Sequence, residues 1–198
     1  MTEKEKMIAG KVYKCLDEEL STALRKAKQL CHKYNDIFFE DEAAAKKIID
    51  ELLQAEHNDG YCVFTPPFWC DYGFNIKVGK NFYSNHNLVI LDCAEVRFGD
   101  NVFIGPNCGF YTAIHPIDAE QRKMKIEWAK SIKVGNDVWF GGSVTVLPGV
   151  TIGDNVVIGA GSVVVKDIPS GVVAVGNPCK PIRKITEADK LDLDDPNN

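Results

Sequence analysis

An aliphatic or aromatic residue returns at every sixth position in the C-terminal half of the chain: Val134, Phe140, Val146, Ile152, Ile158 and Val164. A second column, Val138, Val144, Val150, Val156, Ser162 and Ile168, keeps the same interval. Gly135, Gly141, Gly153 and Gly159 follow four of the lead residues. A period of six fits neither a helix nor the alternation of a long strand. β-Branched residues favour extended chain, and glycine takes backbone conformations closed to other residues, so the repeat predicts very short strands joined by tight bends. Such units bury their apolar side only by stacking, which makes the chain mainly β and a parallel β-helix of hexapeptide repeats. Upstream the column is weaker, at Val78, Ser84 and Ile90. It slips register across 92–95, resumes at Phe98, Ile104 and Phe110, and then stops.

Before the repeats the periodicity is helical. Thr2 and Glu5 have capping-box spacing for a short helix ending at Gly10. A longer helix is predicted over 17–34, with Leu16, Leu20, Leu24, Ala27, Cys31 and Tyr34 on its inner stripe, and a third over 41–56 with Ala45, Ile48, Ile49, Leu52 and Leu53. Asn58, Asp59, Gly60 and the Pro66-Pro67 pair then end helical structure. The expected organisation is a helical segment over 1–60, a β-helix domain over 61–184 and an acidic tail over 185–198. The tail is too polar to be expected to pack, and no function is assigned to it.

The formal net charge is −5 and no basic tract is present, which argues against nucleic acid or an anionic membrane as partner. No apolar run reaches the roughly 20 residues of a membrane span, and the opening MTEKEKMIAG is charged, so a cytoplasmic protein is expected. Seven cysteines, scattered and without a CxxC pair, fit reduced and mostly buried side chains better than a disulfide framework or a zinc ribbon.

Residues 113–131 carry no six-residue column although repeats flank them. They are expected to leave the stack as a long loop without secondary structure, the kind of segment that tends to carry function. His115 stands near its start, either as a solvated loop residue or as a catalytic one. Of the other histidines, His32 is expected to be structural in the long helix, and His57 falls at the end of the third helix, where a dipole partner is expected. His86, between Asn85 and Asn87, is open.

KMIAGKVYKCLDEELSTALRKAKQLCHKYN resembles the N-terminal segment of the maltose and galactoside O-acetyltransferases, and FWCDYGFNIKVGKNFYSNHNLVILD resembles the entry to their repeat domain. GDNVFIGPNCGFYTAIHP and VGNDVWFGGSVTVLPGVTIGDNVVIGAGSVVVKDIPSGVVAVGNPCKPIR follow in the family's order and spacing. The resemblance runs to Arg183, with the CDYG segment favouring the maltose branch. It implies a left-handed β-helix, a handedness that periodicity does not reveal, assembled as a homotrimer with active sites between subunits. It also implies transfer of an acetyl group from acetyl-CoA to a sugar hydroxyl of glucose or maltose type, with no metal required.

By the same resemblance His115 is the general base, a role that suits an imidazole at neutral pH because the thioester is already activated and only the hydroxyl needs help. A backbone N–H near the bend at Gly141 and Gly142, with Gly142 the candidate, is expected to meet the oxyanion. Asn85 matches an acceptor-contact position, to hold the sugar or His115, or is a polar turn residue. Asp17, Asp71, Tyr83, Asp92 and Cys93 complete the expected acceptor set, although Asp17 also reads as a helix cap and Asp71 as a turn carboxylate. The galactoside branch carries aspartate where this chain has Cys93, so a galactose acceptor is not implied. Glu127 reads as an orienting partner of His115 or as a solvated charge, and Arg25 as a helix-surface residue. Trp139, Ala160, Val165, Lys166, Lys180 and Arg183 match the CoA groove, where Lys166, Lys180, Arg183 and Lys184 supply cations to phosphates.

Three rival readings stand beside this one. A zinc enzyme on the same repeats needs three histidines at one metal, and only His86 and His115 lie in the repeats. A non-catalytic scaffold leaves His115, Asn85 and the basic turns unexplained. Acetylation of another small acceptor, an antibiotic or an amino sugar, depends on pocket shape and stays open.

Overall fold

The computed structural model describes residues 1–54 and 61–193. The expected end of the third helix at Glu56, His57 and the turn residues Asn58, Asp59 and Gly60 lie outside the described residues. α1 (Glu3–Ile8) starts in the expected box: Thr2 accepts from the Glu5 N–H, and the Glu5 carboxylate accepts from the Thr2 N–H. Gly10 follows with φ +67, and β1 (Tyr13–Lys14) comes next. α2 (Glu18–Ile37) is capped by Asp17 and buries Leu20, Ala27, Leu30, Cys31 and Tyr34. Leu16, expected on that stripe, is exposed because it precedes the cap and is not on the helix. His32 is exposed too, on the outer face beside Asp36, and is not structural. α3 (Glu42–Leu53), capped by Asp41, buries Ala45, Ile49, Leu52 and Leu53. These side chains share one core with Phe64, Phe68 and Cys70 of the first coil, so the helices plug the open end of the stack.

The coils run in a fixed order. A partial coil, β2 (Cys62–Phe64) and β3 (Phe68–Cys70), is followed by β4 (Ile76–Lys77), β5 (Phe82–Ser84) and β6 (Leu88–Leu91), then by β7 (Val96–Phe98), β8 (Phe103–Ile104) and β9 (Gly109–Tyr111). Residues 113–131 leave the stack here, as β10 (Ala113–Ile114), α4 (Ala119–Lys123) and β11 (Ile126–Ala129). Stacking resumes with β12 (Ile132–Val134), β13 (Val138–Phe140) and β14 (Thr145–Val146), then β15 (Thr151–Ile152), β16 (Val156–Ile158) and β17 (Val163–Val164). β18 (Val172–Gly176) and β19 (Cys179–Lys184) close the far end as an antiparallel pair.

Parallel pairing between coils builds three faces of a prism. The first face runs β4, β7, β12, β15; the second β2, β5, β8, β13, β16, β18, β19; the third β3, β6, β9, β14, β17. Both six-residue columns point inward, every member from Val134 to Ile168 buried. The repeat begins earlier than the sequence pattern suggests, since Phe64 pairs with Ser84 and Cys70 with Ile90. Phe64, Phe82, Phe98, Phe110 and Phe140 run along the axis with neighbouring ring centroids 4.8–5.3 Å apart. Offset and edge contacts of this kind add to the burial of each ring.

The corner glycines serve a different purpose from the one expected. Gly135 and Gly141 do not have positive φ; a Cβ on Gly135 would stand 2.8 Å from the Gly153 carbonyl carbon, and one on Gly141 2.6 Å from the Ala160 nitrogen. Close approach between coils excludes a side chain there. The left-handed bend is taken two residues later, by Asp137 after Gly135 and Ser143 after Gly141, and likewise by Asn101 and Asn155.

Two further expectations are corrected. The segment 113–131 is not structureless: β11 pairs antiparallel with β10 on one side and with β1 on the other. Strands of two to four residues leave no trace in a hexapeptide pattern. The tail also packs at its root, where the Ile185 N–H bonds the Gly171 carbonyl and a short 3-10 turn at Glu187–Asp189 returns Asp189 to Arg183.

Candidate active site

Chain leaving the third face turns a corner three times before the excursion, at Asp71, Asp92 and Thr112, and these stack. Thr112 Oγ1 donates to the Leu91 carbonyl at 2.6 Å and accepts from the Ala94 N–H at 3.0 Å. Asp92 Oδ1 accepts from the N–H groups of Asp71 and Tyr72 at 2.9 and 2.8 Å. Asp92 is fully buried, its Oδ2 meets no donor among the described residues, and burial raises its carboxyl to about 6. As an acceptor contact it is therefore corrected: its side chain is closed to a ligand and fixes the backbone that presents Asp71. Asp71 itself is half-buried, with Lys28 Nζ 3.0 Å from Oδ1 and also donating to the Cys70 carbonyl at 2.7 Å.

The excursion folds back over this corner. His115 is exposed at the end of β10, with Nε2 3.5 Å from Oε2 of Glu127 on β11. Glu127 is 7% exposed, so the alternative of a solvated charge is corrected. Its other oxygen, Oε1, accepts a hydrogen bond from the phenol of Tyr13 on β1. Cys93 is buried between the carboxylates, Sγ 3.8 Å from Asp71 Oδ2 and 3.9 Å from Glu127 Oε1, and desolvation pushes its thiol well up. Expected in the acceptor set, the residue touches protein carboxylates. Asp17 caps α2 through the Glu19 and Leu20 N–H groups, and its own N–H bonds the Lys14 carbonyl beside β1. Arg25 is exposed on α2.

Asn85 lies elsewhere. It follows β5 at the corner between the second and third faces, in a column with Gly105, Gly141 and Gly159. Its Oδ1 accepts from the His86 N–H at 2.7 Å, and His86 Nδ1 donates to the Pro66 carbonyl. A whole side of the prism separates Asn85 and His86 from His115, so within one chain Asn85 does not hold His115. Gly142 and Ala160 share the Asn85 corner, and the Gly142 N–H meets no acceptor among the described residues. Tyr83 and Trp139 point outward from the second face, each in register with Phe103 of β8, and Trp139 is 57% exposed. Val165 and Lys166 are exposed at the other corner, after β17. Lys180, Arg183 and Lys184 line β19, and Arg183 is engaged by Asp189 at 2.6 Å. The expected CoA residues thus occupy the second face at Trp139, both edges of the third face and the closing hairpin.

Sequence reasoning missed Tyr13 and Lys28. Tyr13 sits in a short non-helical stretch between two capped helices, and its partner Glu127 is far along the chain. Lys28 had a weak local signal, next to Ala27 and three residues before Cys31 on the buried stripe of α2. A cavity of about 850 Å³ between α2, α3 and β2 is lined by Tyr34, Phe38, Ile49 and Cys62 among others and holds none of the candidate residues.

A stack of hexapeptide coils, plugged by helices and carrying a histidine on a folded excursion, defines the class as a hexapeptide-repeat acetyltransferase. Residues 6–56 match the maltose acetyltransferase hexapeptide capping motif, and residues 131–166 the bacterial transferase hexapeptide with six repeats. A maltose O-acetyltransferase from Clostridium difficile 630 is 45% identical, with TM-score 0.87 over 94% of this chain and 99% of that one. A galactoside acetyltransferase solved with coenzyme A is 40% identical, with TM-score 0.89 over 96% of this chain and 94% of that one. The Saccharomyces cerevisiae protein YJL218W, named only provisionally as an acetyltransferase, is 52% identical over 93% of this chain and 94% of its own. The chain belongs to the maltose and galactoside O-acetyltransferase family.

Proposed function

We propose that the protein transfers the acetyl group of acetyl-CoA to a hydroxyl of a small sugar of glucose or maltose type. The observation that carries this reading is the exposed His115 backed by the buried carboxylate of Glu127. The imidazole removes the hydroxyl proton as its oxygen attacks the thioester carbonyl. The resulting oxyanion is met by the Gly142 N–H, with Asn85 on the same edge. Collapse breaks the carbon–sulfur bond and the imidazolium returns the proton to the departing CoA thiolate. Asp71, steadied by Lys28 and Asp92, is the acceptor-binding carboxylate, with Cys93 against it; Asp17 at the α2 cap and Tyr83 on the second face are the further acceptor residues of this reading. Trp139, Ala160, Val165, Lys166, Lys180 and Arg183 receive CoA, the cations meeting its phosphates.

His115 and Gly142 lie on opposite edges of the third face, which supports a homotrimer in which one chain's loop faces the neighbour's Asn85 corner. Seven free cysteines support a cytoplasmic location. No described helix is long and apolar enough to cross a membrane. The test is release of free CoA from acetyl-CoA against a panel of neutral sugars, amino sugars and hydroxylated antibiotics. Turnover on glucose- or maltose-type sugars, abolished in His115→Ala, is expected. Turnover on amino sugars alone would replace the acceptor class, and none on any member would remove the reading.

A further inference from the structure

We infer that Tyr13 is a positioning residue for His115, acting through Glu127. The inference rests on the proposed role of His115 as base. β1 enters the excursion as a strand, and the antiparallel register sets Tyr13 directly across from Glu127. The tyrosine is 1% exposed, and its phenol donates to Oε1 while Oε2 faces the imidazole. Among the described residues no Lys or Arg pairs with Glu127; its oxygens meet only Tyr13, His115 and the Cys93 thiol.

A buried carboxylate without a cation depends on hydrogen-bond donors to stay in place. The last torsion of a glutamate is broad, so a donor on one oxygen decides where the other points. With the phenol in place, Oε2 stays on the imidazole and the exposed ring has one fixed side. Without it, Oε1 has lost its phenol donor, and the carboxylate is free to turn from His115. An ordinary core tyrosine satisfied by a nearby acid would stabilise the fold and nothing more; here the acid is the one that backs the candidate base. The N-terminal segment thereby becomes part of the site as well as a plug for the stack.

The test compares wild type, His115→Ala, Glu127→Gln, Tyr13→Phe and the Tyr13→Phe/Glu127→Gln double variant. Tyr13→Phe should lower kcat by roughly 10–100-fold, the usual cost of losing a group that orients a functional side chain. KM for both substrates should stay within about twofold, and the double variant should be no slower than Glu127→Gln, because residues acting through one path do not add. A kcat within twofold of wild type, or losses that multiply in the double variant, would overturn the inference. If His115→Ala keeps full activity, the proposed reaction falls; if it is inactive while Tyr13→Phe is not, only the role of Tyr13 falls. Nitrogen NMR of the His115 ring decides the matter without any acceptor: broadened or doubled signals in Tyr13→Phe are expected, and unchanged signals count against it. Should Tyr13→Phe give no folded protein, Tyr13→Gln, whose amide still donates, takes its place. Folding with kcat within tenfold of wild type then supports the inference, and folding with kcat as low as Glu127→Gln overturns it.

Discussion

His115 and Glu127 face each other across the fold of one excursion, 3.5 Å from Nε2 to Oε2, the imidazole exposed and the carboxylate buried. An exposed ring is free to meet a hydroxyl, and a buried acid is protected from the water that would screen it. His115→Ala should therefore fold and bind CoA but lose on the order of 10²–10⁴ in turnover, the usual worth of a general base. Steady-state kinetics with CoA binding by calorimetry checks this, and activity within twofold of wild type would sink the assignment. A chelator should leave the rate unchanged.

On the proposed reading Arg183 and Lys166 meet only the nucleotide, which separates its binding from chemistry. Replacing either with Ala should raise KM for acetyl-CoA by roughly tenfold, the scale of one charge-assisted contact, with little effect on KM for the sugar. Asp189 now holds Arg183 and is itself pulled down to about 2 by that pairing. Asp189→Asn should free the guanidinium and lower KM for acetyl-CoA. Equal changes in both KM values would argue that the cations do not meet CoA.

Asp92 gives the pH dependence of stability a definite sign. Its carboxyl rises from the ordinary 3.8 to about 6, first because of burial and then because of the Asp71 charge, against the Tyr72 and Asp71 N–H bonds. Between these values the native state keeps a proton that the unfolded chain releases. The contribution is complete below about pH 4 and is lost as pH rises through about 6, a swing of ~3 kcal/mol. Asp92→Asn removes this loss, so its stability relative to wild type should improve from pH 4 to pH 7. Urea unfolding of both proteins at the two pH values measures the difference, in which the opposite slopes of other carboxylates cancel. A relative stability that stays flat would place the charge of Asp92 elsewhere.

The prism was legible because its interior repeats: each position in the columns from Val134 to Ile168 meets the same physical environment one coil later, so one residue type recurs. The helices were legible from Thr2, Asp17 and Asp41, whose side chains close the first turns as their spacing suggests. What stayed hidden was set by contacts distant in sequence. Tyr13 has no neighbour that hints at Glu127, and Glu127 reads as a surface charge until β1 and β10 cover its strand. Asp92 reads as an acceptor contact, because only the stack reveals that its oxygen is spent on the turn above. The bend residues misled in another way: glycine was credited with a conformation that Asp137 and Ser143 adopt, while its lack of a side chain was what the coils required.

Phe110 tests the axial row. It is fully buried, with Phe98 and Phe140 at 5.0 and 5.3 Å on either side. Phe110→Ala should cost about 3–5 kcal/mol, because the coils on either side are tied by backbone bonds and cannot close the gap. Phe110→Leu should cost less than half as much. Chemical denaturation of the two variants checks the order, and equal losses would show that volume is not what this row supplies.

The last prediction concerns the distance between the two halves of the site. His115, Glu127, Asp71 and Cys93 gather at one edge of the third face, while Asn85, Gly142 and Ala160 gather at the other. A single acetyl group cannot reach both edges of one prism, so a site that uses both sets must be built from two chains. In a cyclic trimer the first edge of one subunit meets the second edge of the next, and three sites result. Subunits inactivated at His115 and subunits inactivated at Asn85 carry their lesions on opposite sides of each interface. Mixed trimers of His115→Ala and Asn85→Ala chains should then contain some interfaces where both residues are intact. Recovered activity, approaching a quarter of wild type for random equal mixing, is the expected result. Exchange proven by mass measurement without recovery, or an active monomer, would place the whole site within one chain.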